Sequence, residues 1–149
     1  AVFELAENAP FAVTLGARGN EAIRAGGPAA CDTAPITMDG RAVFRFAVEA
    51  MPRCLQAVLD RSQKTLSDLD WVVCHQANAR IIDLAAKKYH IPPEKYYKNI
   101  QKYGNTSAAS IPLVISELHD LGKVGPGSRV LVVGFGGGLT WGGALVEFA

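Results

Sequence analysis

At 149 residues, the chain is long enough for one compact domain and too short for two ordinary ones. Apolar residues make up 49% and charged residues 19%, a balance that supports a packed core and excludes a disordered segment. The formal net charge of +1 excludes a globally basic nucleic-acid binder, and no apolar run approaches the roughly 18 residues of a membrane helix, so a charged partner must be met by a local patch.

In chain order, residues 1–6 form a short apolar run with no turn before it and read as the tail of a strand that begins upstream; Ala1 is not an initiator methionine. Residues 11–17, rich in Phe, Val, Thr and Leu, read as a second strand. Residues 19–35 hold Gly26-Gly27-Pro28 and Pro35 with little periodicity and predict an irregular loop. After Gly40, the residues Val43, Phe44, Ala47, Val48 and Met51 recur at helical spacing. Pro52 predicts a break or kink near Ala50, with a second helix over residues 53–61 carrying Leu55, Val58 and Leu59. Residues 71–75 (Trp-Val-Val-Cys-His) read as a short buried strand. Residues 79–89 read as an amphipathic helix with Ile81, Ile82, Ala85 and Tyr89 on its apolar side, ended by Pro92-Pro93. Residues 96–100 read as a short strand, and residues 107–121 as a helix with Pro112 near its start. Gly125-Pro126-Gly127 is a turn, residues 129–134 a central strand and residues 139–148 the last one. This alternation predicts an α/β fold, a mixed β-sheet with helices on both faces.

His75 closes an apolar strand, and the carboxyl ends of strands in α/β sheets are where functional groups gather. A lone histidine there is nonetheless more often structural than catalytic. Its neighbour Cys74 points to the opposite face and reads as a small core residue. The three cysteines, Cys31, Cys54 and Cys74, lack CxxC spacing, which argues against a disulfide framework or a zinc site and for a reducing, intracellular location. Asn105, Thr106 and Ser107 follow Gly104 and offer a helix N-cap. The small side chains that come next, Ser107, Ala108, Ala109 and Ser110, leave room for another backbone or a ligand, and a helix N-terminus beside a carboxamide favours negative charge.

The glycine-rich run 134–138 resembles a dinucleotide fingerprint only superficially, because position 139 is Leu and a strand follows where a helix is required. It reads as a hairpin turn or as a backbone oxyanion donor. Arg80 and Lys87 lie seven residues apart on one helix face with Lys88 beside them; alone, they read as a solvated face with an Asp83–Lys87 pair. His90 and His119, near helix ends, suit the helix dipole.

Together, His75-Gln76-Ala77-Asn78, then Tyr103-Gly104-Asn105-Thr106-Ser107-Ala108-Ala109-Ser110, then Phe135-Gly136-Gly137-Gly138-Leu139-Thr140-Trp141-Gly142 resemble the C-terminal half of the beta-ketoacyl-acyl carrier protein synthase III family, in the thiolase-like superfamily. Ile36-Thr37-Met38-Asp39-Gly40, with Val43-Phe44 after it, is also similar to the family. The His/Asn pairing, in place of two histidines, separates it from the elongating synthases.

The resemblance implies a decarboxylative Claisen condensation. An acyl primer from acyl-CoA is loaded on a cysteine, malonyl-acyl carrier protein loses carbon dioxide, and the carbanion attacks the acyl-enzyme. His75 and Asn105 are then the catalytic donors to the malonyl thioester oxygen, and the Gly137 N–H belongs to the second oxyanion hole. Met38, Gly40 and Phe44 are implied to line the pantetheine tunnel, and Asn78 to order the tunnel and its water. Arg80, Lys87 and Lys88 match a basic face that docks the acidic acyl carrier protein, which displaces the solvated-face reading.

No cofactor or metal is implied beyond the CoA and carrier-protein thioesters. The family's nucleophilic cysteine lies in the N-terminal half, and none of the three cysteines matches it. Residues 1–10 are therefore expected to end the last strand of a missing N-terminal half, and residues 11–149 to form the C-terminal thiolase-like domain of a cytoplasmic homodimer with no nucleic-acid or membrane partner. Two other readings are a non-catalytic module binding acyl carrier protein or CoA, and a related polyketide- or quinolone-type condensing enzyme.

Overall fold

The computed structural model describes Val13–Ala17, Ile23–Arg24 and residues 37–137 and 139–149. The strand expected over residues 1–6, the domain boundary at residues 10–11 and Cys31 lie outside the described residues.

The described strands and helices run β1 (Val13–Ala17), β2 (Ile23–Arg24), β3 (Thr37–Met38), α1 (Gly40–Ser62), β4 (Trp71–Cys74), α2 (Ala79–Lys88), α3 (Ile100–Tyr103), α4 (Ser110–Asp120), β5 (Arg129–Gly136) and β6 (Thr140–Glu147). A four-stranded sheet has the order β1-β6-β5-β4. β4 runs parallel to β5, while β5–β6 and β6–β1 are antiparallel, so the sheet is mixed as predicted. Strand alternation sends Val72 and Cys74 of β4 and Leu131 and Val133 of β5 to one face, where α1 and α2 cover them. Val73 and Val130 go to the other face with Val114 and Leu118 of α4. Helices therefore flank both faces.

The expected break at Pro52 does not occur: α1 is continuous from Gly40 to Ser62, with Pro52 buried inside it. An internal proline costs about 3 kcal/mol. Met51, Cys54, Leu55 and Val58 fall on the same stripe as Ala47 and are buried against the sheet. At roughly 1.5–3 kcal/mol for each large apolar side chain, that burial outweighs one lost hydrogen bond. Asp39 caps the helix, its Oδ1 accepting from the Arg41 and Ala42 amides at 3.0 Å each.

The strand expected over residues 96–100 is reduced to a single bridge between Tyr96 and Val72. The Asn99 N–H donates to the Gln76 side-chain Oε1 at 3.2 Å, so it is not free for a ladder, and α3 begins at Ile100. The helix expected over residues 107–121 divides into a 3-10 turn, Ser107–Ala109, and α4. Ser107, the first residue of that turn, has a left-handed φ of 52°. Pro112 lies in the first turn of α4, where its missing N–H has no intrahelical partner to lose. Within the loop expected over residues 19–35, Ile23–Arg24 pairs with Thr37–Met38 as a two-stranded ribbon. β5 extends to Gly136, so Gly134 and Gly136 belong to a strand rather than to a turn.

Gly143 is buried where α1 crosses β6. A Cβ built there would stand 2.6 Å from Cys54 Sγ and 2.8 Å from the Val132 carbonyl oxygen. The glycine sets how closely helix and sheet approach. Among the described residues no helix is long and apolar enough to cross a membrane.

Candidate active site

One cleft of about 490 Å³ at the carboxyl ends of β4 and β5 is lined by Met38, His75, Asn105, Ser107, Ser110, Phe135 and Gly137, among others. It thus gathers residues from four separate motifs of the sequence.

His75 continues β4 by one residue, its N–H donating to the Val133 carbonyl at 2.8 Å. Its ring stands edge-on to Phe135, with centroids 5.2 Å apart and planes at 75°. Nδ1 lies 2.6 Å from Ser110 Oγ, so Nε2 is the nitrogen left for a ligand. Burial holds the ring's pKa below the usual histidine value of 6.5, which keeps it neutral at pH 7. Its ring resonances are expected to titrate below that value. A histidine with a lowered folded-state pKa binds its proton more tightly in the unfolded chain. The stability it contributes is therefore complete above the ordinary value and is lost as the pH falls through the lower, folded one. NMR titration of the ring checks the direction, and a midpoint above the ordinary value contradicts it.

Asn105 is exposed to the cleft, and its Oδ1 accepts from the Ser107 amide at 2.9 Å. With the acceptor engaged, the group that remains for a ligand is Nδ2, a donor. Gly104 precedes it at φ 70°, a left-handed conformation that glycine adopts without penalty. The expected N-capping therefore reduces to this short turn: Thr106 makes no side-chain cap bond, and α4, which begins at Ser110, has Ala109 at its N-cap.

Gly137 is exposed in the β5–β6 turn, and its carbonyl accepts from Thr140 Oγ1 at 2.9 Å. Leu139 holds that turn down: it is fully buried with Val43, Phe46 and Ala50 of α1.

Gly40 and Phe44 do not join Met38 in this cleft. They line a second depression of about 530 Å³ together with Arg41, Arg45 and Arg80. The Arg80 guanidinium stands 5.8 Å above the Phe44 ring. Asn78 caps α2, with its Oδ1 accepting from the Arg80 amide at 2.9 Å. α2 buries Ile81, Ile82, Ala85 and Ala86 and turns Arg80, Leu84, Lys87 and Lys88 outward. The expected Asp83–Lys87 pair is not formed, because Asp83 Oδ1 is taken by Lys98 Nζ at 2.6 Å. Lys87 and Lys88 keep exposed charges at the end of the helix.

Residues 59–148 match the family model described as 3-Oxoacyl-[acyl-carrier-protein (ACP)] synthase III C terminal. The chain belongs to that family. It is 50% identical over 114 residues to the beta-ketoacyl-[acyl-carrier-protein] synthase III of Microcystis aeruginosa, an alignment covering 76% of this chain and 34% of the relative. With the chloroplastic enzyme of Arabidopsis thaliana the identity is 48% over 113 residues, covering 76% and 28%. The fold matches the crystal structure of the Thermus thermophilus synthase III with a TM-score of 0.88 at 37% identity, over 98% of this chain and 48% of that one. The chain therefore spans about a third of the length of the curated relatives it matches and about half of that crystallised chain.

Of the residues singled out in the sequence, the synthase III fold brings His75, Asn105, Gly137 and Met38 to one cleft, Gly40, Phe44 and Arg80 to the next, and Lys87 and Lys88 to the outer face of α2. Two contacts of His75 lie beyond the residues expected to form the site: Ser110 and the ring of Phe135. Each had a signal: a serine in the first turn of a helix otherwise opening on small residues, and an aromatic residue set among glycines at a strand end.

Proposed function

We propose that this chain supplies the C-terminal part of a 3-oxoacyl-[acyl-carrier-protein] synthase III that joins an acyl-CoA primer to malonyl-acyl carrier protein with release of carbon dioxide. The observation that carries this reading is the convergence of His75, the Asn105 amide and the Gly137 backbone on one cleft. As the malonyl C–C bond breaks, its electron pair moves onto the thioester oxygen. His75 Nε2–H and Asn105 Nδ2–H donate to that oxygen, and fixed donors at a developing oxyanion are a large source of rate. The carbanion then attacks the acyl-thioester carbonyl, whose oxygen is met by the Gly137 N–H, and the cysteine thiolate leaves.

The nucleophilic cysteine comes from outside this chain. In support, Cys54 and Cys74 are buried, and burial pushes both thiols up to about 12, where the thiolate is scarce. The partner carrying it is the N-terminal half of the enzyme, which as an intact protein forms a homodimer. Met38, Gly40, Phe44 and Asn78 border the path of the pantetheine arm, and Arg80, Lys87 and Lys88 dock the carrier protein. The test is formation of 3-oxoacyl-carrier protein from acyl-CoA and malonyl-carrier protein by the full-length protein; an intact, folded protein that binds both thioesters and yields no product overturns the reading.

The docking face has its own test. Arg80→Glu is expected to weaken carrier-protein binding by about tenfold or more at low salt, with the difference shrinking as salt rises. Titration of the full-length protein with fluorescent carrier protein measures it. Equal affinity at low salt removes this face from the interface.

A further inference from the structure

We propose that Ser110 is a positioning residue that sets the tautomer of His75: its hydroxyl donates to Nδ1, so the ring's one proton sits on Nε2, facing the cleft. This rests on the reading of His75 as an oxyanion donor, which needs that proton on that nitrogen.

The assignment follows from counting donors and acceptors. Ser110 is 1% exposed, and its Oγ has two neighbours within hydrogen-bond reach: His75 Nδ1 at 2.6 Å and the Gln76 backbone nitrogen at 3.2 Å. The Gln76 amide can only donate, so it occupies a lone pair of Oγ. The hydroxyl proton then has one acceptor among the described residues, His75 Nδ1. The opposite arrangement, with Nδ1–H donating to Oγ, would leave a buried hydroxyl proton without a partner, which costs about 1–3 kcal/mol. A neutral imidazole with Nδ1 bare carries its proton on Nε2.

The serine is itself held from behind. Gln76 is 1% exposed; its Nε2 donates to the Cys74 carbonyl at 2.8 Å and its Oε1 accepts from the Asn99 amide at 3.2 Å. Asn99 Nδ2 in turn donates to Glu117 Oε2 at 2.8 Å. The amide that fixes Ser110 therefore cannot turn away. The same hydroxyl lies in the first turn of α4, so the helix that follows the Asn105 turn also holds the histidine ring.

The test is ¹⁵N–¹H correlation spectroscopy of histidine-labelled full-length protein, with the His75 signals assigned by their loss in His75→Gln. The expected spectrum has an unprotonated Nδ1 and a protonated Nε2. A proton on Nδ1 in the wild type overturns the proposal without any variant being needed. Ser110→Ala is expected to give a mixture of tautomers and a decarboxylation kcat about tenfold lower with KM unchanged, the loss equivalent to one neutral hydrogen bond. Ser110→Thr, which keeps the hydroxyl, restores the Nε2–H tautomer. A Ser110→Ala spectrum identical to the wild type also overturns it. If instead the tautomer is as stated and His75→Ala decarboxylates normally, the proposed function fails and the tautomer assignment stands.

Discussion

In the full-length protein, His75→Ala and Asn105→Ala are each expected to suppress malonyl decarboxylation by about a hundredfold or more, while transfer of the acyl primer to protein persists. Loss of one preorganised oxyanion donor costs about 2.7–4 kcal/mol of barrier, and each 1.36 kcal/mol is tenfold in rate. On the proposed function the two half-reactions separate, because acyl loading would draw on the thiolate and the Gly137 N–H, and decarboxylation on the donors of His75 and Asn105, which line the same cleft. Carbon dioxide release from malonyl-carrier protein, measured beside radiolabel transfer from acyl-CoA, reads them independently. Asn105→Asp sharpens the result. It retains an oxygen to accept from the Ser107 amide, so the turn stays built, yet it removes the Nδ2 donor and adds negative charge. Variants that release carbon dioxide at the wild-type rate would exclude both residues from this role.

The second large effect is on stability. Gly143→Ala places a methyl group 2.6 Å from Cys54 Sγ and 2.8 Å from the Val132 carbonyl, distances no packed core tolerates. Overpacking of this kind costs roughly 1–3 kcal/mol and occasionally more, and the upper part of that range is expected because one of the two clashes is with backbone of the neighbouring strand. Removing the sulfur does not suffice. In Gly143→Ala/Cys54→Ala the Val132 contact remains, so only part of the loss should be recovered. Urea midpoints of the wild type and the two variants measure this. A Gly143→Ala midpoint equal to that of the wild type would mean that α1 and β6 are farther apart than described.

The sheet and its flanking helices were legible in the sequence because their signals are local. Trp71–Cys74 and the start of β5 are apolar and bounded by turn residues, and α2 repeats its apolar residues at helical spacing. What was not legible depended on distant partners. Pro52 signals a break in any isolated peptide, and only the sheet under α1 makes a continuous helix worth its cost. Tyr96 and Tyr97 have strand propensity, but the Asn99 amide is drawn off by Gln76, 23 positions earlier in the chain. The site behaves similarly. His75 and Asn105 stood out as residue types at an element's edge, whereas the bond from His75 to Ser110 spans 35 positions and carries no sequence periodicity. Met38 and Gly40 sit two residues apart, yet the start of α1 sends them to different clefts, a division that sequence spacing could not express.

The short connection between β4 and α2 acts as a yardstick. His75 is its first residue, Asn78 caps the helix it leads into, and Arg80 follows His75 by five positions. Five residues cannot separate their ends by more than about 18 Å even when fully extended, and the helical turn begun at Ala79 shortens that. If Arg80 meets a carrier and charge develops at His75, as proposed above, the two points are joined by a covalent span of fixed size rather than by the docking of separate domains. A substrate delivered on a flexible arm of constant length has to match that span.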